Sequence, residues 1–207
     1  MYTTTPRILV TTSHRPSQRA RSLAKELAQV LPGGVRVNRG KRSLQDLYYD
    51  ARSVGASRVL VVATRKGNPG LILVYEARGL PEPGLREILA VSLSGVLLGR
   101  EREGYQRVYG VSRLVISEDL PDHYKWVADA MAYSLLGRLG RPGPEDDVVL
   151  RLEYRGVFIA SFEAAGTGRP CGPLLRAFGV HDYVSGKRVY KLRAGGRGGG
   201  GGARRRP

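Results

Sequence analysis

The chain has 207 residues, of which 34 are basic and 18 acidic, so its formal net charge is +16. Hydrophobic residues make up 42% of the sequence, enough to bury the core of one domain or two small halves, which excludes a wholly disordered protein. The single cysteine, Cys171, excludes an internal disulfide framework and favours a reducing, cytoplasmic compartment. No apolar run approaches the roughly 20 residues of a membrane span, and the first residues lack the order of a signal peptide. We therefore expect a soluble protein.

The charge is unevenly distributed along the sequence. Residues 1–74 carry a net +10, residues 75–163 a net −3, and residues 164–207 a net +9. Such segregation predicts a localised positive surface, which attracts a polyanion and most often a nucleic acid. Alternatively, the excess positive charge only keeps the protein soluble, although charge with that role has no reason to concentrate in two regions of the sequence.

Hydrophobic spacing in the first half predicts alternating strands and helices. A short apolar run precedes Pro16, an amphipathic pattern then continues to Pro32, and Ser43 has the position of a helix cap. In chain order, we predict a strand over 8–11, a helix over 16–31, a strand over 35–38, a helix from Ser43 to Gly55, a strand over 58–63, a turn over 66–70 and a strand over 71–75.

The second half shows a similar series of patterns. A strand over 114–117 precedes a helix that Asp122 would cap and that would end at Gly137 or Gly140, and a terminal hairpin is predicted over 148–153 and 157–162. Matching residues recur at an offset of 105 positions, as Val10 and Val115 do, which predicts an internal repeat. The predicted fold class is α/β, with two similar halves (about 5–80 and about 85–192) in a domain of residues 1–194. The tail over 195–207, which is rich in glycine and arginine, is predicted to be disordered.

The first strand-to-helix loop is the sharpest candidate site. Residues 11–19 contain hydroxyl groups and arginines where a strand ends and a helix begins, and free backbone N–H groups and the helix dipole favour an anion there. The equivalent loop of the second half, residues 117–122, has three carboxylates and no basic residue, so we expect phosphate to be excluded from it. The alternative is that Ser13 or Ser17 only caps the helix and that the arginines are solvated.

Further basic residues extend this candidate site. One cluster precedes the second helix, Arg65 and Lys66 follow the third strand, and four arginines lie in the tail. The predicted RNA-binding residues are Thr12, Ser13, Arg15, Ser17, Gln18, Arg19, Arg21, Lys25, Arg39, Lys41, Arg42, Arg65, Lys66, Arg197, Arg204, Arg205 and Arg206. Five tyrosines with the chemistry to stack on bases receive no assignment: Tyr48, Tyr49, Tyr105, Tyr109 and Tyr183.

Motifs of catalysis are weak or absent in the sequence. Gly40-Lys41 lacks the glycine that a Walker-type phosphate loop requires five residues earlier, where Val35 stands. The three histidines are scattered, and the adjacent acidic residues 145–147 are typical of a solvated loop rather than a metal site. We predict no catalytic residue, no metal site and no cofactor.

Residues of the first half closely resemble the Brix-domain family of ribosome-biogenesis proteins, in its Imp4-like branch and archaeal type. The resemblance rests on Ile8 to Ser13 leading through Arg15 to Arg19, followed by Arg39-Gly40 and Ser43 to Leu47, and extends over roughly residues 5 to 190. In the second half it rests on the hairpin and on Gly172-Pro173 followed by Leu174 to Arg176. The resemblance implies two α/β halves related to an anticodon-binding fold, in a protein that binds RNA without catalysis.

The charge distribution predicts an RNA-binding factor, and the resemblance implies that it acts in the processing of ribosomal RNA precursors and in subunit assembly. The expected partners are precursor ribosomal RNA, guide RNAs and other assembly proteins, with no membrane, and we expect the chain to be a monomer. Two alternatives stay open: an enzyme that uses the first loop as a phosphate site for a nucleotide or RNA substrate, and a protein–protein assembly module with an incidental basic face.

Overall fold

The computed structural model describes residues 7–190, which form one 11-stranded sheet with three α-helices in that range. The predicted tail over 195–207 lies outside the described residues. The elements in chain order are β1 (Arg7–Thr12), α1 (Gln18–Val30), β2 (Val35–Arg36), α2 (Leu44–Ser53), β3 (Ala56–Arg65), β4 (Asn68–Arg78), β5 (Gly84–Leu97), β6 (Leu114–Asp119), α3 (Lys125–Leu135), β7 (Arg138–Leu139), β8 (Val148–Tyr154), β9 (Phe158–Ala164), β10 (Pro170–Asp182) and β11 (Arg188–Tyr190). Within residues 7–190, no helix is both long and apolar enough to cross a bilayer.

The strand order of the sheet is β2-β1-β3-β4-β5-β10-β9-β8-β6-β7, and β11 pairs with β10. At one side, β1 is parallel to β2 and β3, and β4 and β5 follow antiparallel. At the other side, β6 is parallel to β7 and β8, and β9 and β10 follow antiparallel. The two series therefore have the same connectivity from edge to centre, and β5 pairs with β10 between them.

Helices cover the two faces of the sheet unequally. The larger core lies under α1 and α3, where Leu23 and Leu27 of α1 and Val127 of α3 pack with strands of both series. The smaller core lies on the opposite face, where Leu47 and Ala51 of α2 pack with β1, β3 and β4. Between β7 and β8, the described chain has no helix in the place that α2 holds between β2 and β3. The mixed α/β class is therefore confirmed as a large sheet with few helices.

Local chemistry explains where the helices begin. The Ser17 side chain accepts a hydrogen bond from the Ala20 N–H at 3.2 Å, which caps α1. Ser43 and Asp46 form a reciprocal capping box at the start of α2. The prediction that Asp122 caps a helix is wrong, because residues 122–124 form a 3-10 turn and α3 begins after Tyr124 without a side-chain cap. Asp122 instead pairs with Lys125 at 2.7 Å.

The second half differs from its predicted elements at two further points. The helix α3 ends at Leu135, because Leu136 adopts a left-handed conformation with φ of 56° and the chain then enters β7. The hairpin of β8 and β9 exists but is not terminal, since β10 and β11 follow it.

Candidate nucleic-acid interface

Three loops rich in basic residues meet at one edge of the sheet. They follow β1, β2 and β3, which are parallel neighbours, so their carboxyl ends lie at the same edge. The loops cover residues 13–17, 37–43 and 66–67, and we call this region the basic edge. The chain leaves β1 for α1 on one face and β2 for α2 on the other, which is the switch point where ligands of open α/β sheets bind.

Hydrogen bonds hold the first loop against the end of β3. The Ser13 N–H donates to the Val62 carbonyl at 2.9 Å, and the Ser17 N–H donates to the Thr64 hydroxyl at 3.2 Å. The Ser13 hydroxyl accepts from the Thr64 N–H at 3.4 Å. Ser13 and Ser17 are therefore occupied in positioning the loop, and Arg15 lies between them with φ of 50°.

A histidine connects the first loop to the second. The His14 Nδ1 lies 3.2 Å from the Gly40 carbonyl oxygen, and the His14 Nε2 lies 3.4 Å from the Arg39 Nη2. A ring that carries its proton on Nδ1 would donate to the Gly40 carbonyl and accept from Arg39. The two loops are thus joined, and sequence reasoning did not assign His14 to the site because no spacing pattern marks this contact.

Exposed cations project from all three loops. Arg15, Lys41, Arg65 and Lys66 are exposed, and no ion pair joins them to a carboxylate within residues 7–190. Arg42 is exposed as well, but its Nε lies 3.1 Å from an Asp50 carboxylate oxygen. Four cations on one edge without carboxylate partners create a positive potential suited to phosphate groups.

Helix α1 extends the positive surface away from this edge. Gln18, Arg21 and Lys25 lie on its exposed side, and Arg21 donates to the Pro16 carbonyl at 3.1 Å. An α-helix rises 1.5 Å per residue, so the 13 residues of α1 span about 20 Å. Gln18, Arg21 and Lys25 therefore form a stripe that begins at the basic edge, and we call it the α1 stripe.

Arg19 has a different environment from the other arginines of α1. Its guanidinium donates to the two Glu101 carboxylate oxygens at 2.7 and 2.6 Å and to the Val96 carbonyl at 2.9 Å. Glu101 also accepts from the Leu98 N–H at 2.9 Å. The hydrogen bonds from Arg19, followed by that from Leu98, lower the pKa of Glu101. Arg19 therefore fastens α1 to the chain after β5, and this role competes with the predicted phosphate contact.

Two predicted residues are buried. Thr12 is 1% exposed, because strand alternation places it with Ile8 and Val10 on the face under α1, so the prediction that its hydroxyl binds RNA is wrong. Arg39 is 8% exposed, and its buried Nε has no hydrogen-bond partner. Burial lowers the pKa of Arg39. The buried Arg39 thus supports the first loop through its contact with His14. The predicted tail residues Arg197, Arg204, Arg205 and Arg206 lie outside the described residues.

Comparison with known proteins places the chain in a family. A probable Brix domain-containing ribosomal biogenesis protein from Aeropyrum pernix is 37% identical over 171 residues, which cover 81% of this chain and 92% of that protein. The chain belongs to the Brix-domain family of ribosomal biogenesis proteins. Proteins with the same description from Thermococcus kodakarensis and Methanopyrus kandleri are 44% identical over 62 residues and 40% identical over 95 residues. These two alignments cover 30% and 46% of this chain, and 30% and 48% of those proteins.

Solved structures agree with the Brix assignment. The crystal structure of a probable ribosomal biogenesis protein from Aeropyrum pernix K1 matches with a TM-score of 0.74 and 35% identity, over 83% of this chain and 95% of that one. Mil, an archaeal Imp4-like protein, matches with a TM-score of 0.64 and 22% identity, over 84% and 99% of the two chains, which shows the shared fold. A scan against models of protein families finds no match.

The corresponding loop of the second half of this Brix-domain protein is acidic. It follows β6, where Glu118 and Asp119 are exposed, and Asp122 lies in the 3-10 turn before α3. The hydrogen bond from Lys125 lowers the pKa of Asp122. The two strand-to-helix loops therefore have similar positions in their series and opposite charge.

Proposed function

We propose that this chain binds precursor ribosomal RNA through the basic edge and the α1 stripe, and acts in ribosomal RNA processing and subunit assembly. The observation that carries the proposal is the convergence of exposed cations from three separate loops on one edge of the sheet. The names of its relatives as ribosomal biogenesis proteins support the biological role. Phosphate contacts of this kind position RNA without reading its sequence.

The pairing of carboxylates elsewhere supports the same proposal. In the middle of the chain, Glu76 pairs with Arg58 at 3.2 Å, and Glu163 pairs with Arg151 at 2.5 Å. Arg138 also pairs with Asp146. Acidic groups in these pairs are neutralised locally, so the cations without carboxylate partners on the basic edge dominate the field that a polyanion meets.

The two series of strands support an internal duplication, which is part of this proposal. Leu9 of β1 pairs with β2 and β3 as Val115 of β6 pairs with β7 and β8. The number of residues that separates a strand of the first series from its counterpart in the second decreases along the chain, because the described second half lacks a helix like α2. The offset between the halves is therefore not constant. The relation to an anticodon-binding fold rests on the family resemblance alone.

The remaining parts of the proposal concern partners and chemistry. We propose that the chain acts as a monomer and without catalysis, and that guide RNAs and assembly proteins join it on the precursor. Turnover of nucleotides or cleavage of RNA by the purified protein would favour the enzyme alternative instead. RNA affinity without turnover supports the binding role.

The test of the proposal is RNA binding by a variant of the basic edge. Arg15→Ala, Lys41→Ala and Arg65→Ala together remove one exposed cation from the first loop, one from the second loop and one from the end of β3. If each residue contacts one phosphate, the slope of log affinity against log salt should fall by about 2 to 3 units. At about 0.1 M salt the affinity should then fall by roughly 100- to 500-fold.

A matched variant controls for net charge. Arg52, Arg86 and Arg188 are exposed and lie away from the basic edge, so their replacement by alanine removes the same charge from other surfaces. We expect this control to lose far less affinity and to keep most of the salt slope. Equal losses in the two variants would show that the charge acts only as a general field, without a site at the basic edge.

A further inference from the structure

The segment between β5 and β6 carries an exposed aromatic ring beside an exposed arginine. Tyr109 is 77% exposed, and Arg107, two positions earlier in the chain, is exposed as well. Interaction with the Tyr109 hydroxyl, followed by that with Tyr105, raises the pKa of Arg107, so the ring and the charge lie close together and both face solvent. We call Arg107 and Tyr109 the linker pair.

Contacts on both sides of the linker pair fix its backbone. Val108 packs against the larger core, and Val111 is buried in it. The Gln106 N–H donates to the Pro170 carbonyl at 2.8 Å, and the Gly33 N–H donates to the Val111 carbonyl at 2.8 Å. The linker pair is thus presented by an anchored segment, so little conformational entropy would be lost when a ligand binds there.

Other exposed arginines lie along the same part of the fold. A series of backbone hydrogen bonds connects Arg113 to residue 147, residue 165 to residue 147, and residue 164 to Arg169, whose neighbour Pro170 contacts the segment of the linker pair. Arg113 and Arg169 are exposed. The carboxylate of Asp147, which lies near Arg113, accepts hydrogen bonds from the Ser112 and Arg113 N–H groups at 2.8 and 2.9 Å.

The segment that carries the linker pair contacts the chain just beyond the carboxyl end of α1. The Gly33 contact lies just beyond the carboxyl end of α1, whereas the basic edge lies at its amino end. The two positive regions are therefore separated by the length of α1, about 20 Å. An RNA strand that follows the exposed side of α1 from the basic edge would reach the linker pair.

We propose that the linker pair is a second RNA contact, at which an unpaired base stacks on the Tyr109 ring while Arg107 contacts the adjacent phosphate. This inference rests on the proposed RNA-binding function and adds a preference for single-stranded RNA. A tyrosine face stacks on any base, and an arginine beside it supplies the charge. A base within a duplex is already stacked and is not accessible to the ring.

The test compares two RNA probes with equal numbers of phosphates, a single-stranded oligouridine and a blunt duplex. Tyr109→Ala should weaken binding of the oligouridine by about 5- to 150-fold, the range for loss of one stacked base. Binding of the duplex should stay close to that of the unchanged protein. Tyr109→Phe keeps the ring and should retain most of the oligouridine affinity, and a thermal melt should show that both variants stay folded.

If the unchanged protein binds both probes, two outcomes overturn the inference. One is an unchanged oligouridine affinity in Tyr109→Ala, which is also the result expected if a protein covers this surface. The other is an equal loss on both probes, which would give Tyr109 no preference for unpaired bases. The variant of Arg15, Lys41 and Arg65 should weaken binding of both probes, so its result tests the proposed function separately. A protein that bound neither probe would refute both proposals.

Discussion

Replacing Glu101 by alanine separates the structural role of Arg19 from an RNA-binding role. The change removes both carboxylate contacts of Arg19 and the acceptor of the Leu98 N–H. The Arg19 and Glu101 side chains are 36% and 30% exposed, so their ion pair contributes about 0.5 to 1 kcal/mol. The unsatisfied Leu98 N–H costs about 1 kcal/mol more. We expect a loss of about 2 kcal/mol and a fall in the melting midpoint of about 4 to 8 °C.

Thermal and urea unfolding measure the stability, and the same samples serve for RNA binding. Arg19→Ala should lose a similar amount of stability, because it breaks the same ion pair. Glu101→Ala should bind RNA at least as well as the unchanged protein, because it removes a negative charge and releases the Arg19 cation on α1. An Arg19→Ala protein that melts like the unchanged protein and loses about tenfold or more in RNA affinity would show that Arg19 contacts RNA instead of fastening α1.

Three further predictions concern the fold. Glu76→Gln should destabilise the protein by about 3 kcal/mol in urea unfolding, because it leaves the buried Arg58 without its charged partner. The hydrogen bond from Tyr133, followed by the charge of Arg58, lowers the pKa of Glu76, so this stabilisation should be present above the usual glutamate pKa and lost as the pH falls through the lowered value. Ser43→Ala should cost about 1 kcal/mol by loss of the helix cap, and an unchanged urea midpoint would contradict that role. Burial raises the pKa of Cys171 to about 12, so alkylation of the thiol at about pH 8 should be slow until denaturant unfolds the chain; rapid labelling of the native protein would contradict its burial.

The parts of the fold that are predictable from sequence depend on local signals. The Ser17 cap, the Ser43 capping box and the buried run of β3 each follow from residues close together in the chain. No sequence pattern predicts the central strands β5 and β10. Each contains glycine or serine and has irregular pairing where the two strands meet, so neither presents a regular apolar alternation.

In the candidate site, too, local sequence patterns predict some features and contacts between distant residues determine the others. Basic loops after β1 and β3 are visible in the sequence, but the parallel pairing that brings them together is not, because it joins strands that are distant in the chain. The pairing of Arg19 with Glu101 joins residues 82 positions apart, which no local pattern encodes. The burial of Arg39 beneath His14 depends in the same way on how the two loops pack.

Crosslinking of RNA to the protein in the cells that make it tests the central claim most directly. Sequencing of the attached RNA and mass spectrometry of the attached peptides would identify both sides of the contact. We expect precursor ribosomal RNA, attached to peptides that contain residues 13–25 and 37–42. RNA of unrelated classes, or attachment confined to the acidic loop that follows β6, would contradict the account.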